Sequence, residues 1–208
     1  LHKEYRRQRQ MCIRDSGSVH GIIVLNVYNE RLLRLLAETQ IPKVFLDTSS
    51  LVSPDELNGD LLLMESRNSV RNITAHLLEK GRTLPGFMGD IGYAQSNRER
   101  YEGFCQALMD AGKTPNPSLC LTTPLGIDSY REEIDSFLSS LSRMPDAFVC
   151  ASDYVACILM QLLEKRGLRV PEDVAVSGFD NNIEDLLAEN LTTVQVFNCL
   201  LYTSPSPR

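Results

Sequence analysis

The residues best suited to chemistry in this 208-residue chain are carboxylates, one arginine and two serines, each placed just after a short apolar run. Asp47 follows Val44-Phe45-Leu46, and Ser152-Asp153 follows Phe148-Val149-Cys150-Ala151. Asp180 follows Val176-Ser177-Gly178-Phe179, and Ser96 to Arg100 opens a helical pattern after the run at 86–89. If those runs are parallel strands, all of these groups lie at strand carboxyl ends, where open α/β sheets bind ligands. Carboxylates accept hydroxyl hydrogen bonds, and a guanidinium donates a planar fork. A sugar, a sugar phosphate or a nucleobase suits such a set.

Each residue has a plainer reading beside this one. Asp180 is also placed to cap a short helix near Ile183. Arg100 is a solvated helix residue or half of an ion pair with Glu99 or Asp90. Asp47 is an ordinary turn aspartate, Ser96 is an N-cap, and Ser152 or Asp153 caps the helix that runs through Lys165, Asp153 then having no further role. Catalysis and metal binding find little support. After the first sixteen residues the histidines are His20 and His76, and no cysteine pair has a ligand spacing. No Gly-x-Gly-x-x-Gly follows a strand pattern, and no Walker motif, nucleophile elbow or His-Glu-x-x-His is present. No cofactor is implied, and no apolar run is long enough to span a bilayer.

The elements that must position these groups alternate along the chain. Strands are predicted over 21–25, 44–46, 61–64, 86–88, 119–121, 147–151, 174–177 and 192–196. Helices are predicted between them. The first is capped by Asn29, with Leu32, Leu33, Leu35 and Leu36 inward. Another covers 70–80, with Ile73, Leu77 and Leu78 inward and Gly81 as its stop. Further helices fall at 97–111, 130–141, 153–165 and 183–188. The Tyr101, Phe104 and Met109 group reads as core. Helical connections between strands imply an α/β fold with a parallel, doubly wound sheet.

The two ends read differently. Residues 6–16 and 199–208 resemble translated transposase-type sequencing adapters, and 1–5 fit a primer end with a short index. Such scars are set aside from fold reasoning, which leaves an insert of about 17–198 cut from a longer gene. Removing the six basic and two acidic residues of the flanks from totals of 21 and 27 leaves 15 against 25, a net of −10. The basic run at the start is therefore not read as a nucleic-acid arm, and an acidic body does not attract DNA. Cys105, Cys120, Cys150 and Cys157 remain, read as reduced and mostly buried thiols.

The segment from Val170 to Asn181 reads VPEDVAVSGFDN and resembles the VPEDVAVxGFDN signature of the LacI/GalR family of bacterial transcription regulators. Leu191 to Val194 is similar to that family's LTTV, Ser96 to Phe104 to its SxxxRxxGF, and Pro42 to Asp47 to its PxVxxD. The resemblance implies two Rossmann-like lobes with parallel sheets, of the type I periplasmic binding protein-like kind. The first lobe would span 17–64 and be truncated, the second 65–190, with 191–198 crossing back. It further implies effector contacts from Asp47, Ser96, Arg100, Ser152, Asp153 and Asp180 in the cleft between lobes. Ser152 stands where the family usually has asparagine, which leaves the effector's identity open. His20, Gly81-Arg82 and Pro85 also depart from the pattern. The implied protein is a cytoplasmic homodimer whose helix-turn-helix head, upstream of this sequence, binds operator DNA under control of a small, sugar-like effector. The alternative is the solute-binding protein of a sugar transporter, which shares the fold; an upstream signal peptide would mark it. An enzyme on a Rossmann-like sheet has only fold analogy behind it.

Overall fold

The computed structural model describes residues 19–126, 128–181 and 191–196. The flanks at 1–16 and 199–208 and the expected helix at 183–188 lie outside the described residues. Strands and helices alternate as β1 (Ile22–Leu25), α1 (Glu30–Glu38), β2 (Lys43–Leu46), β3 (Asp60–Leu62), α2 (Arg67–Glu79) and β4 (Pro85–Met88). They continue as α3 (Gln95–Asp110), β5 (Cys120–Leu121), α4 (Tyr130–Ser140), β6 (Ala147–Cys150), α5 (Asp153–Lys165) and β7 (Ala175–Ser177). All pairings between these strands are parallel, the α/β class that the alternating pattern implies. The chain divides into two compact units, one ending at Leu63 and the other beginning at Met64.

In unit 1 the strands lie in the order β1-β2-β3. Val24 and Phe45 share one face of the sheet and pack with Leu33 of α1 and with Val52 and Leu57. Helix α1 starts where Asn29 Oδ1 accepts the Leu32 N–H at 3.0 Å, an N-cap that satisfies one orphan donor. The expected inner face is corrected: Leu33 and Ala37 are buried, whereas Leu32 and Leu35 are 45% and 50% exposed. At 100° per residue the core stripe takes 33, 36 and 37 and leaves 32 and 35 outside it. Strand β3 also begins and ends earlier than expected, and Met64 is exposed.

In unit 2 the strand order is β5-β4-β6-β7, with helices on both faces. Phe87 and Val149 meet Val70 of α2 and Phe104 and Leu108 of α3. Met88, Phe148, Cys150 and Val176 meet Ile134 and Leu138 of α4 and Leu159 and Leu163 of α5. Strands covered on both faces read as continuous apolar runs, and β4, β6 and β7 are buried throughout. Pro85 is tolerated in a central strand because it stands at its first position. From β4 the chain moves outward to β5, then returns past β4 to β6. The switch point therefore falls between β4 and β6, where ligand crevices form in such sheets.

Local chemistry sets the helix limits. The Glu65 carboxylate accepts the Asn68 and Ser69 N–H groups at 2.6 and 3.0 Å and starts α2 three residues before the expected position. The buried stripe of α2 is Val70 and Thr74, with Ile73, Leu77 and Leu78 only half-buried; the Thr74 hydroxyl is satisfied by the Val70 carbonyl at 2.8 Å. At its end Gly81 takes φ +88°, and Arg82 N–H bonds Leu77 O while Gly81 N–H bonds Leu78 O, a Schellman closure that calls for glycine. Helix α3 crosses α2 at Gly103, where a β-carbon would overlap the Arg67 carbonyl oxygen. Met109, expected in the core, is 52% exposed near the end of α3.

The segment expected to cross back is described over 191–196. There it runs beside the end of β7 through two single bridges, Ser177 to Thr192 and Asp180 to Gln195, rather than a full ladder. Val194 and Val196 pack on the Phe87–Phe104 core.

Candidate functional site

Five of the six expected site residues belong to unit 2, and three of them, Arg100, Asp153 and Asp180, are tied together at the carboxyl edge of its sheet. Arg100 stands in the second turn of α3 and is 4% exposed. Its guanidinium carbon lies 3.7 Å from the centroid of the buried Phe179 ring, a cation–π contact in a desolvated setting. Its Nη1 donates to the Ala151 carbonyl oxygen and to Asn97 Oδ1, and its Nη2 lies 3.6 Å from Asp180 Oδ1. The alternative pairing with Glu99 or Asp90 is replaced by this one with Asp180. The reason is fold-level: Ala151 directly follows β6 and Phe179-Asp180 follow β7 by two residues, so the chain leaving both strands converges on one guanidinium.

Asp180 holds φ +107° and its neighbour Asn181 φ +48°, left-handed conformations that L-residues rarely adopt and that cluster at functional sites. Neighbouring chain holds this turn. Asp180 N–H bonds Val194 O at 3.1 Å, and Asn181 N–H bonds Thr193 Oγ1 at 3.2 Å. Partial burial pushes the Asp180 carboxyl up to about 6, Arg100 pulls it down, and Asp153 adds to the rise.

Asp153 is 3% exposed and occupies the first turn of α5. The cap of that helix is Ser152, whose hydroxyl accepts the Val155 N–H at 3.3 Å, so the capping alternative for Asp153 is set aside. Asp153 Oδ1 instead accepts the Thr193 hydroxyl at 2.6 Å, and its backbone N–H bonds Phe179 O at 2.9 Å. Gly178 permits this approach, because a β-carbon there would overlap Asp153 Oδ1. Thr193 therefore links two elements of the site: it accepts from Asn181 and donates to Asp153.

Ser96 is buried inside the first turn of α3, which is preceded by Ala94 at the cap position, so it is not the N-cap. Asp47 lies in unit 1 with φ +61°. Its Oδ1 accepts the Thr48 N–H at 2.8 Å, and Tyr28 Oη lies 3.4 Å from its Oδ2. The turn reading of Asp47 thus has direct support. Among the described residues no group of three or more His, Cys, Asp or Glu side chains is arranged to hold a metal ion. Phe179, Thr193, Asn97 and the Ala151 carbonyl carry the geometry without having been singled out in the sequence. Phe179 and Thr193 stand inside the GFD and LTTV segments, which is the signal that marks them.

A model of the periplasmic binding protein-like domain matches residues 74–199, more than half of the 208-residue chain. The chain belongs to this family. Within it, the periplasmic binding protein-like chain is similar to the HTH-type transcriptional repressor PurR of Aliivibrio fischeri (strain MJ11), 32% identical over 180 residues covering 85% of this chain and 52% of that protein. It is also similar to the HTH-type transcriptional regulator DegA of Bacillus subtilis (strain 168), 30% identical over 164 residues covering 78% and 47%. The chain thus spans about half the length of the curated relatives it matches. Among solved structures, the transcriptional regulator CelR–cellobiose complex has a TM-score of 0.74 at 25% identity, covering 91% of this chain and 57% of that one. A putative LacI-family regulator from Sanguibacter keddieii DSM 10542 has a TM-score of 0.62 at 28% identity, covering 76% and 58%. The resemblance to LacI-type regulators read from VPEDVAVSGFDN is upheld by these relatives.

Proposed function

We propose that this periplasmic binding protein-like chain is the effector-sensing part of a LacI/GalR-type transcriptional regulator. It binds a small polar ligand, a sugar or sugar derivative, at the carboxyl edge of the unit 2 sheet. The observation that carries the reading is the Arg100–Asp180 pair, set at a topological switch point and held in a left-handed turn. A carboxylate in that position reads hydroxyl or N–H groups, and the strained turn is kept because the neighbouring segment 191–196 fixes it. Ser96, Ser152 and Asp153 line or buttress the same edge, and Asp47 is a further proposed contact from unit 1. The cellobiose named in the CelR complex makes disaccharides the first ligands to try.

Control of DNA would follow from linkage. Whatever free energy the ligand contributes to one state of the protein changes operator affinity by the same factor, and the operator changes ligand affinity reciprocally. In this reading the full-length protein is a cytoplasmic homodimer with a helix-turn-helix head and no enzymatic role. No helix among the described residues is long and apolar enough to cross a membrane.

The test uses the full-length protein with duplex DNA selected from a random pool and with mono- and disaccharides, read by fluorescence anisotropy and calorimetry. Ligand is expected to shift DNA affinity about 5- to 150-fold, the usual span of allosteric coupling. Arg100→Ala and Asp180→Asn should each weaken that response and leave DNA binding in place. Unchanged ligand affinity in both variants would sink the site assignment. Ligand binding with no DNA retention at all would favour the transporter reading.

A further inference from the structure

We infer that Thr193 is a positioning residue of the unit 2 site: its single hydroxyl fixes the Asp153 carboxylate and the Asp180–Asn181 turn together, and ligand affinity depends on that tie. The inference rests on the reading of this edge as an effector site and assigns a residue that holds it in shape.

Chemistry forces the direction of each hydrogen bond. A backbone N–H only donates, and an ionised carboxylate only accepts. Thr193 Oγ1 stands between one of each: it accepts the Asn181 N–H at 3.2 Å and donates to Asp153 Oδ1 at 2.6 Å. A hydroxyl does both at one atom, so serine can replace threonine here, whereas valine keeps the shape and loses both bonds. The donor matters because Asp153 is 3% exposed. A buried carboxylate deprived of a donor has little water to turn to.

At its other end the hydroxyl holds a strained turn. The left-handed conformations of Asp180 and Asn181 persist only where the surroundings over-determine them. Segment 191–196 supplies that constraint. Gly178 N–H bonds Thr192 O at 2.9 Å and Asp180 N–H bonds Val194 O at 3.1 Å, while Asn181 Nδ2 donates to Gln195 Oε1. The two backbone bonds form whatever the side chains are. The bond to the Asn181 N–H exists only because residue 193 carries a hydroxyl. Asp180 projects from this turn to within 3.6 Å of Arg100 Nη2, so a turn that relaxes carries the carboxylate away from its guanidinium. On the α5 side, Asp153 N–H bonds Phe179 O, and Gly178 leaves the room that Asp153 Oδ1 fills. Carboxylate, hydroxyl and turn thus form one packed unit, and loss of the hydroxyl releases two parts of the site at once.

The experiment compares wild type, Thr193→Val, Thr193→Ala and Thr193→Ser in the full-length protein. Affinity is read by calorimetry with cellobiose and a panel of other mono- and disaccharides, and the tie itself by amide hydrogen exchange at Asn181. Thr193→Val and Thr193→Ala should each weaken binding about tenfold or more, the scale of a lost hydrogen bond to a charged group. Thr193→Ser should stay within about fourfold of wild type, the scale of one lost methyl. The Asn181 amide should be protected in wild type and in Thr193→Ser, and exchange about tenfold faster in the other two, as local opening becomes easier. Melting curves establish which variants are folded. An unprotected Asn181 amide in wild type overturns the inference without recourse to any variant. Undiminished affinity in the valine and alanine variants overturns it and leaves the effector reading standing, as does a serine variant as weak as the valine one. A wild-type protein that binds none of the sugars overturns the effector reading, and the binding role of Thr193 with it, whatever the exchange shows.

Discussion

Arg100 lies 3.7 Å from the Phe179 ring centroid and 3.6 Å from Asp180 Oδ1, so its guanidinium orients the aspartate rather than facing solvent. Two measurable consequences follow at this scale. The Asp180 carboxyl is raised from 3.8 to about 6, chiefly by burial, with Arg100 opposing. Between those values the folded chain binds more protons than the unfolded one, so this group lowers stability as pH rises through about 4 to 6. The Asp180→Asn variant should flatten that part of the stability–pH curve, as measured by urea unfolding at stepped pH. Replacing Arg100 by Met removes the opposing charge and should move the Asp180 midpoint further up, observable as a carboxyl carbon titration by NMR. An unmoved midpoint would mean that the pair does not form in solution.

At the scale of elements, the site depends on close approaches that only particular residues allow. A β-carbon at Gly178 would overlap Asp153 Oδ1, the atom held by Thr193. Gly178→Ala should therefore cost about 1–3 kcal/mol, the usual range for forcing volume into a packed place, and should weaken ligand binding by displacing Asp153. Gly103→Ala is expected to destabilise by a similar amount where α2 crosses α3, without that effect on binding. Chemical denaturation combined with calorimetry separates the two cases. The start of α2 depends on Glu65, whose carboxylate receives the Asn68 and Ser69 N–H groups and the Ser69 hydroxyl. Glu65→Ala should remove about 1 kcal/mol, the typical value of a helix cap.

At the scale of the whole molecule, charge and exposed apolar surface decide behaviour. The 208-residue chain carries a net charge of −6, and an acidic body gains nothing from counterion release on DNA. This chain alone should therefore show no retention of duplex DNA in a filter assay at physiological salt. Strand β1 places Ile23 and Leu25 on the sheet face opposite the unit 1 core, 71% and 52% exposed, with Leu62 on the same face at 48%. Parallel sheets ordinarily have both faces covered, and contiguous exposed apolar surface promotes association. The chain should bind a hydrophobic dye, and the double change Ile23→Lys and Leu25→Lys should reduce dye fluorescence and raise soluble yield.

The sequence by itself determined the class of fold, because periodicity and punctuation are local properties. Asn29 as a cap, Gly81 as a stop and the buried runs at 86–88 and 147–150 were legible without any tertiary contact. It also placed Asp180, Ser152-Asp153 and Ser96–Arg100 at strand ends or helix starts, and the GFD and LTTV segments pointed to the family. Local pattern could not choose between Leu32 and Ala37 for the core, since the tilt of a helix on its sheet is set by packing. Nor could it choose a partner for Arg100. Glu99 and Asp90 lie near it in the chain, whereas Asp180 lies eighty residues away and arrives only because β6 and β7 are neighbours in a parallel sheet. The same long-range pairing made Thr193 the donor to Asp153 and left Ser152 as the cap. Those assignments depend on which strand ends meet in space, and only the tertiary structure decided them.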